Sequence, residues 1–167
     1  MPWFKYPQIA ACGKIFNDSQ NRNFDIILVS GDAYVDHPSF PTAVIARYIE
    51  SLGLKVAVIS QPDWKTLDDF KIFGAPNLFF GVTAGAMDSM VANFTSLGFP
   101  RHSDRLSPGG KSGYRPKRAA IVYSQRLKEC FPDVPIVLGG IEASLRRFAH
   151  YDFWEAKIRN SVLIDSG

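Results

Sequence analysis

Four short apolar segments, three of which end at or just before a glycine, constrain the fold of this chain more than any other feature. They are Phe24–Ser30, Leu54–Ser60, Asn77–Gly81 and Ile136–Gly139. Such segments are typical of strands that are buried on both faces. Helical patterns at residues 42–52, 62–73, 84–93 and 117–130 separate them. The alternation predicts an open, mainly parallel α/β sheet in three layers, with helices on both faces.

The chain length predicts one such domain, because 167 residues suit a single α/β unit. We predict an N-terminal arm over residues 1–23, packed on the domain by Trp3, Phe4, Tyr6 and Phe16, and an α/β domain over residues 24–167. Four strands are few for an open sheet, so we expect a fifth strand to follow the segment 161–167. The chain is then a fragment of a longer protein, or one cut close to a domain boundary.

Composition excludes several classes of protein. Apolar residues make up 46% of the chain, which is enough for a full core and argues against disorder. The N-terminus lacks the apolar core of a signal peptide, and no apolar run is long enough to cross a bilayer. The two cysteines, Cys12 and Cys130, match neither a disulfide framework nor metal-ligand spacing. These features predict a cytoplasmic protein that makes no membrane contact.

A basic segment lies in the least regular part of the sequence. Residues 101–118 contain six Lys or Arg residues and one Asp, a local net charge of +5, against +3 for the whole chain. This segment overlaps a Gly- and Pro-rich loop over residues 95–116, and loops of that length are usually functional or poorly ordered. The charge predicts contact with an anionic substrate, a docking face or a nucleic acid such as RNA.

Polar and glycine residues gather where three of the predicted strands end. Because the carboxyl ends of parallel strands share one edge, these residues are predicted to line a crevice for a ligand or partner. The candidates are Asp32, Asp36, His37, Gly81, Gly85, Gly139, Gly140, Glu142, Arg146 and Arg147. We assign no catalytic residue and no metal ligand, because the sequence has no metal-site spacing, phosphate-binding loop or nucleophile elbow.

Structural interpretations of the same residues remain open. Asp36 and His37 fit a capped turn as well as a ligand contact. Glu142 fits a first-turn acid as well as a catalytic group. Arg146 and Arg147 are adjacent and cannot share one helical face, so we expect one to pair inside the domain and the other to face a partner.

Four segments together resemble the N-terminal region of YgiQ-type radical SAM proteins. They are Ser30–Phe40, Gly74–Met90, Arg115–Ala120 and Gly139–Asp152, and the similarity extends over about residues 1–166. The resemblance implies an α/β domain like the cobalamin-binding, flavodoxin-like or Rossmann-like domains of radical SAM enzymes. It also implies a radical SAM barrel in the same polypeptide, where three cysteines hold a 4Fe-4S cluster that binds SAM. That cysteine motif does not occur in this chain, and Pro41 stands where many relatives are expected to have glycine.

The resemblance does not decide whether this domain binds cobalamin. The cobalt-ligating motif Asp-x-His-x-x-Gly is not present, because Asp36 and His37 are adjacent. The sequence therefore predicts either base-on binding through backbone contacts or no cobalamin. The first functional hypothesis is an accessory domain that covers the barrel and positions a substrate or a second cofactor. The alternative is a stand-alone small-molecule, nucleotide or cobalamin-binding module, with a phosphate near Gly139 and Gly140.

Overall fold

A computed structural model describes residues 9–11 and 23–167 and shows a five-stranded parallel sheet. The strands are β1 (Ile9–Ala11), β2 (Ile26–Ser30), β3 (Val56–Ser60), β4 (Phe79–Thr83) and β5 (Ile136–Gly139), arranged in the order β1-β3-β2-β4-β5. The four predicted strands are all present, and they lie in the order of a doubly wound sheet whose connections reverse between β2 and β4. The predicted α/β class is confirmed.

Alternate residues of the central strands β2 and β3 supply two hydrophobic cores. On one face of the sheet, Ile27 and Val29 pack against Phe70 and Tyr123, which both lie on helices. On the other face, Ile26 and Leu28 belong to a smaller cluster. All five residues of each central strand are buried, as expected for strands covered on both sides. The sheet is therefore the middle of three layers.

The edge strand β1 is a feature that we did not predict. Ile9–Ala11 falls within the predicted arm and pairs in parallel with β3, with Ile9 opposite Val58. The fifth strand of the sheet thus comes from the N-terminal side of the first predicted strand. The predicted packing of the four aromatic residues of the arm lies outside the described residues.

Helix α1 (Pro41–Ser51) forms where predicted, but it packs through a different face. The helical spacing in the sequence predicts an apolar stripe that consists of Val44, Ile45, Tyr48, Ile49 and Leu52. The residues that are buried are Ala43 and Ala46, and Ile49 is partly buried, whereas the other four stripe residues are about half exposed or more. Small alanines let the helix lie close to β2 and β3, and that close packing turns the larger side chains outward.

The remaining helices are mostly shorter than the patterns indicated. Helix α2 (Asp68–Lys71) is a single turn, α3 (Ser89–Asn93) starts after the N-cap Asp88, and α4 (Ala119–Cys130) is the longest. Ile121 and Leu127 of α4 are buried, and their spacing in the sequence is that of an apolar helix face. None of the described helices is long and apolar enough to cross a membrane.

The C-terminal part of the chain is a small subassembly beside the sheet. It comprises α5 (Gly140–Leu145), an antiparallel hairpin of β6 (His150–Asp152) and β7 (Lys157–Arg159), and α6 (Val162–Asp165). Between α3 and α4, the loop of residues 94–118 contains a 3-10 turn at Pro108–Gly110 and two isolated bridges.

Candidate functional site

The point where the strand order reverses brings together the loops after β2 and β4. Gly31 N donates to Thr83 O at 3.1 Å, so the two loops run side by side. A Cβ at Gly31 would collide with the Ala84 carbonyl, and one at Gly85, where φ is +109°, would collide with the Asp32 carboxylate. These glycines therefore permit close packing of one loop against the other.

A buried arginine occupies the crevice above these loops. The Arg115 guanidinium lies 2.8 Å from Asp32 Oδ1 and 3.1 Å from Asp104 Oδ2, and it donates to Ala84 O at 2.7 Å. Arg115 is 2% exposed, Asp32 4% and Asp104 7%. Burial raises the pKa of Asp32, while Arg115 and the N–H of Ala86 act in the opposite direction. Three buried ionisable groups thus form one cluster at the carboxyl edge.

The long loop closes over this cluster. Ala33 N donates to Leu106 O at 2.8 Å. Ser107 Oγ donates to Asp104 Oδ2 at 2.9 Å and accepts from Gln61 Nε2 at 2.5 Å. The part of the chain predicted to be functional or poorly ordered is therefore tied to the sheet edge. Among the described residues, the long loop thus contacts the edge at which doubly wound sheets bind their ligands.

Glu142 joins the starts of two other helices. Its carboxylate accepts from Ser89 N at 2.7 Å, in the first turn of α3, and from Ala120 N at 3.0 Å, in the first turn of α4. The residue is only 1% exposed. A buried carboxylate at two helix N-termini compensates unpaired N–H groups and both helix dipoles. It lies in the first turn of α5, as the structural interpretation held, but its partners belong to α3 and α4.

The two adjacent arginines have different environments. The Arg146 guanidinium pairs with Asp88, the N-cap of α3, whose other oxygen accepts from Met90 N at 2.8 Å. Burial lowers the pKa of Arg146. Arg147 is exposed, and its guanidinium lies 5.0 Å from the centroid of the Phe148 ring. The expectation that one of the two pairs inside the domain is confirmed for Arg146.

Asp36 and His37 lie together in an exposed turn after β2. Asp36 pairs with Arg47 of α1 and accepts from the Tyr34 hydroxyl at 3.4 Å. The Arg47 partner lowers the pKa of Asp36, and burial together with the nearby Asp36 carboxylate raises the pKa of Tyr34 to about 12. His37 Nδ1 accepts from Ser39 N at 3.1 Å. The turn is thus capped by the histidine ring, and Asp36 pairs with the side chains of Arg47 and Tyr34.

Of the remaining candidate glycines, Gly81 and Gly140 lie where the backbone packs closely against other side chains, and Gly139 does not. A Cβ at Gly81 would lie 2.7 Å from Leu28 Cδ2, and one at Gly140, where φ is +83°, would lie 2.5 Å from Thr83 Oγ1. Gly139 has open space around the position of a Cβ.

Arg115, Asp104, Asp88 and Arg118 are the site residues that sequence reasoning did not single out. Arg115 and Arg118 belong to the basic segment and to one of the segments that carry the family resemblance, but the sequence predicted no role for either residue. Arg118 pairs with Asp152 and lies 2.8 Å from Glu155, which ties α4 to the C-terminal hairpin. Asp88 could have been identified from the sequence, because an Asp just before an apolar helical segment is a typical N-cap residue.

Comparison with known proteins identifies the family. A family model described as "Radical SAM N-terminal" matches residues 11–167. The chain belongs to the radical SAM N-terminal family. It is 60% identical over 145 residues to a UPF0313 protein of Thermotoga petrophila, 59% over 145 residues to one of Methanosarcina mazei and 61% over 142 residues to one of Pseudomonas syringae pv. tomato. These alignments cover 87%, 87% and 85% of this chain but only 26%, 23% and 18% of the relatives. No solved structure matches significantly.

Among the described residues of this radical SAM N-terminal domain, no group of side chains fits a metal cluster. Radical SAM proteins use a 4Fe-4S cluster and SAM, and among the described residues no three His, Cys, Asp or Glu side chains are placed to hold a metal. Cys130 is partly buried in the packing around Phe80, and that burial raises the pKa of its thiol. The His37 ring is engaged with its own turn, and Arg115 fills the crevice. No cofactor site is therefore assigned to these residues.

Proposed function

We propose that this chain is the accessory N-terminal domain of a radical SAM iron–sulfur enzyme, in which it covers the catalytic barrel and helps to position the substrate. The 4Fe-4S cluster and SAM belong to the barrel in this proposal, and the described residues contain no complete catalytic site. The chain spans about a quarter or less of the relatives it matches, which leaves ample polypeptide for such a barrel.

The observation that carries the proposal is that the C-terminal hairpin exposes its apolar face and buries its polar face. Tyr151 and Ile158 are paired across its two strands and so share one face, and the Tyr151 and Phe153 rings are 5.0 Å apart. These three side chains are 51%, 78% and 83% exposed in the order Tyr151, Ile158, Phe153. On the other face, Asp152 is buried and paired with Arg118. An isolated domain would be expected to turn the apolar face inward.

Further exposed apolar residues lie in the segments beside the hairpin. We define the C-terminal apolar surface as the exposed residues Leu145, Phe148, Tyr151, Phe153, Ile158, Leu163 and Ile164. Val162 N donates to Arg146 O at 2.8 Å, which brings the start of α6 to the end of α5. Monomeric proteins rarely expose so many large apolar residues in one segment, and such surfaces mark protein contacts. The family description, radical SAM N-terminal, favours the catalytic barrel as the partner.

The contacts of the sheet edge disfavour the alternative of a stand-alone nucleotide or cobalamin module. A phosphate near Gly139 and Gly140 would approach a loop packed against Thr83 and the buried carboxylate of Glu142. Cobalamin at the strand ends would have to displace Arg115 from two carboxylates. We therefore propose that the domain binds no cobalamin.

Titration with hydroxocobalamin tests the last point. We expect no change in the corrinoid absorption spectrum and no corrinoid retained after desalting. Retention of about one equivalent would contradict the proposal and restore the binding alternative.

Co-purification tests the accessory role. The 167-residue chain and a tagged polypeptide containing the rest of the longer protein are produced together. We expect the wild-type chain to co-purify, and we expect the double variant Phe153→Ser, Ile158→Ser to be lost. Leu97→Ser is the matched control, because Leu97 is also exposed, at 81%, but lies outside the C-terminal apolar surface. Co-purification of the double variant, or loss of the wild type, would overturn the proposal.

A further inference from the structure

A preformed cleft lies between the long loop and the start of α4, apart from the C-terminal apolar surface. Its volume is about 460 Å³, within the range of small-molecule sites. Its walls carry the side chains of Trp64, Phe94, Pro100, Pro116 and Val122. A smaller cleft of about 300 Å³ shares Trp64 with it. The larger cleft is thus mainly apolar and has an aromatic residue on each of two walls.

Hydrogen bonds between neighbouring segments hold these walls in place. Arg126 Nε donates to Trp64 O at 3.0 Å, which fixes the tryptophan segment against α4. Asn93 Nδ2 donates to Arg115 O at 3.2 Å and to Pro116 O at 3.4 Å, which joins the end of α3 to the segment before α4. A bridge between Phe94 and Pro100 closes the remaining wall. A rigid, preformed cleft loses little entropy on binding a ligand.

The cleft carries positive charge that the domain does not neutralise. Three of its lining residues are basic, and among its described lining residues there is no carboxylate. Arg115 is neutralised by its two buried partners, but Arg101 and Lys117 form no ion pair with the described residues. Arg101 Nε donates to the carbonyls of Val91 and Phe94, both at 3.0 Å, which leaves its terminal nitrogens available. The Lys117 ammonium lies 4.8 Å from the centroid of the Phe94 ring.

We propose that this cleft binds a nucleotide, free or as one unit of a single-stranded RNA. A planar base suits the aromatic and proline walls, because bases stack on such surfaces whatever their sequence. A phosphate suits the two unneutralised cations, which present charged donors at the rim. The proposal uses the part of the basic segment that remains after Arg115 and Arg118 have been assigned to internal ion pairs. It does not depend on the accessory role.

Isothermal titration calorimetry tests the proposal. The chain is titrated with ADP, adenosine, inorganic phosphate and a short single-stranded RNA. We expect ADP to bind more tightly than adenosine or phosphate, because only ADP offers both the ring and the charge. Lys117→Gln should weaken ADP binding by about tenfold or more, since it removes a charged donor. Lys111→Gln is the matched control, because Lys111 is exposed in the same loop but does not line the cleft. Trp64→Leu should weaken binding by a similar factor through lost stacking.

The outcomes distinguish a free nucleotide from a nucleotide unit of RNA, and some of them overturn the proposal. RNA binding that is tighter than ADP binding and is weakened by Lys117→Gln assigns the cleft to RNA, and ADP binding alone assigns it to free nucleotides. No binding of ADP or RNA overturns the proposal. Equal weakening by Lys117→Gln and Lys111→Gln also overturns it, because it indicates only diffuse attraction to a basic loop. If Trp64→Leu does not fold, the comparison of the two lysine variants still decides.

Discussion

At the scale of single residues, the candidate site is built from ion pairs that hold loops and helices together. Asp32, Glu142 and Arg146 were selected because polar residues at strand ends often bind ligands. In the structure each has intramolecular partners, and the partners that decide this, Arg115 and Asp88, come from distant parts of the chain. Sequence spacing could locate the edge of the sheet, but it could not show that a loop from residue 101 onward folds back over it.

Replacing Arg115 should destabilise the domain severely. Arg115→Met leaves the buried carboxylates of Asp32 and Asp104 without their cation, which costs about 3–5 kcal/mol in the free energy of unfolding. Arg105→Met serves as the control, because Arg105 is exposed in the same loop and should change that energy by less than about 0.5 kcal/mol. Urea unfolding followed by circular dichroism measures both. Equal stabilities would show that the buried cluster does not hold the loop.

Substitutions of the adjacent residues Arg146 and Arg147 serve as controls for each other. Arg146→Ala removes the partner of Asp88 at the start of α3 and should cost roughly 1–3 kcal/mol in the free energy of unfolding. Arg147→Ala removes an exposed side chain and should change it by less than about 0.5 kcal/mol. Thermal unfolding of the two variants distinguishes them. The reverse order of stabilities would assign the structural role to Arg147.

At the scale of elements, the four predicted strands are all found, whereas the packed face of α1 and the lengths of α2 and α3 differ from the predictions. Strands β2 and β3 could be predicted because a strand that is buried on both faces is apolar throughout. Strands β4 and β5 follow the same apolar pattern although they are only partly buried. The face of α1 could not be predicted, because an alanine face allows close packing while the larger side chains of Val44 and Tyr48 remain exposed. Strand β1 has only three residues, Ile9–Ala11, too few for a recognisable pattern.

The hairpin is held to the domain by acidic residues, so its anchoring should depend on pH. Hydrogen bonding to Lys157, with Arg118 and Arg159 nearby, lowers the pKa of Glu155 from 4.5 to about 2. Because the folded state has the lower pKa, this contribution to stability is full above about pH 4.5 and is lost as the pH falls toward 2. The wild type should therefore lose stability more steeply than Glu155→Gln across this range. Parallel curves from urea unfolding at each pH would contradict the assignment.

At the scale of the whole molecule, the proposed partners contact two different parts of the described surface, while the exposed apolar side chains of α1 have no partner assigned. The C-terminal apolar surface fits a protein partner, and the basic cleft beside Trp64 fits a nucleotide. Their separation suits a domain that docks through one face and presents a ligand on another. The crevice at the strand ends, where a doubly wound sheet usually binds its ligand, is instead the structural joint between the long loop and the sheet.

Hydrogen exchange of the full-length protein and of the 167-residue chain tests the docking role most directly. We expect the amides of β6, β7 and α6 to exchange at least about tenfold more slowly in the full-length protein, because the proposed barrel would cover them. The amides of the central strand β2 should serve as the internal reference and exchange alike in both. Equal exchange of the hairpin in the two proteins would contradict the claim that this domain packs on the barrel through its C-terminal apolar surface.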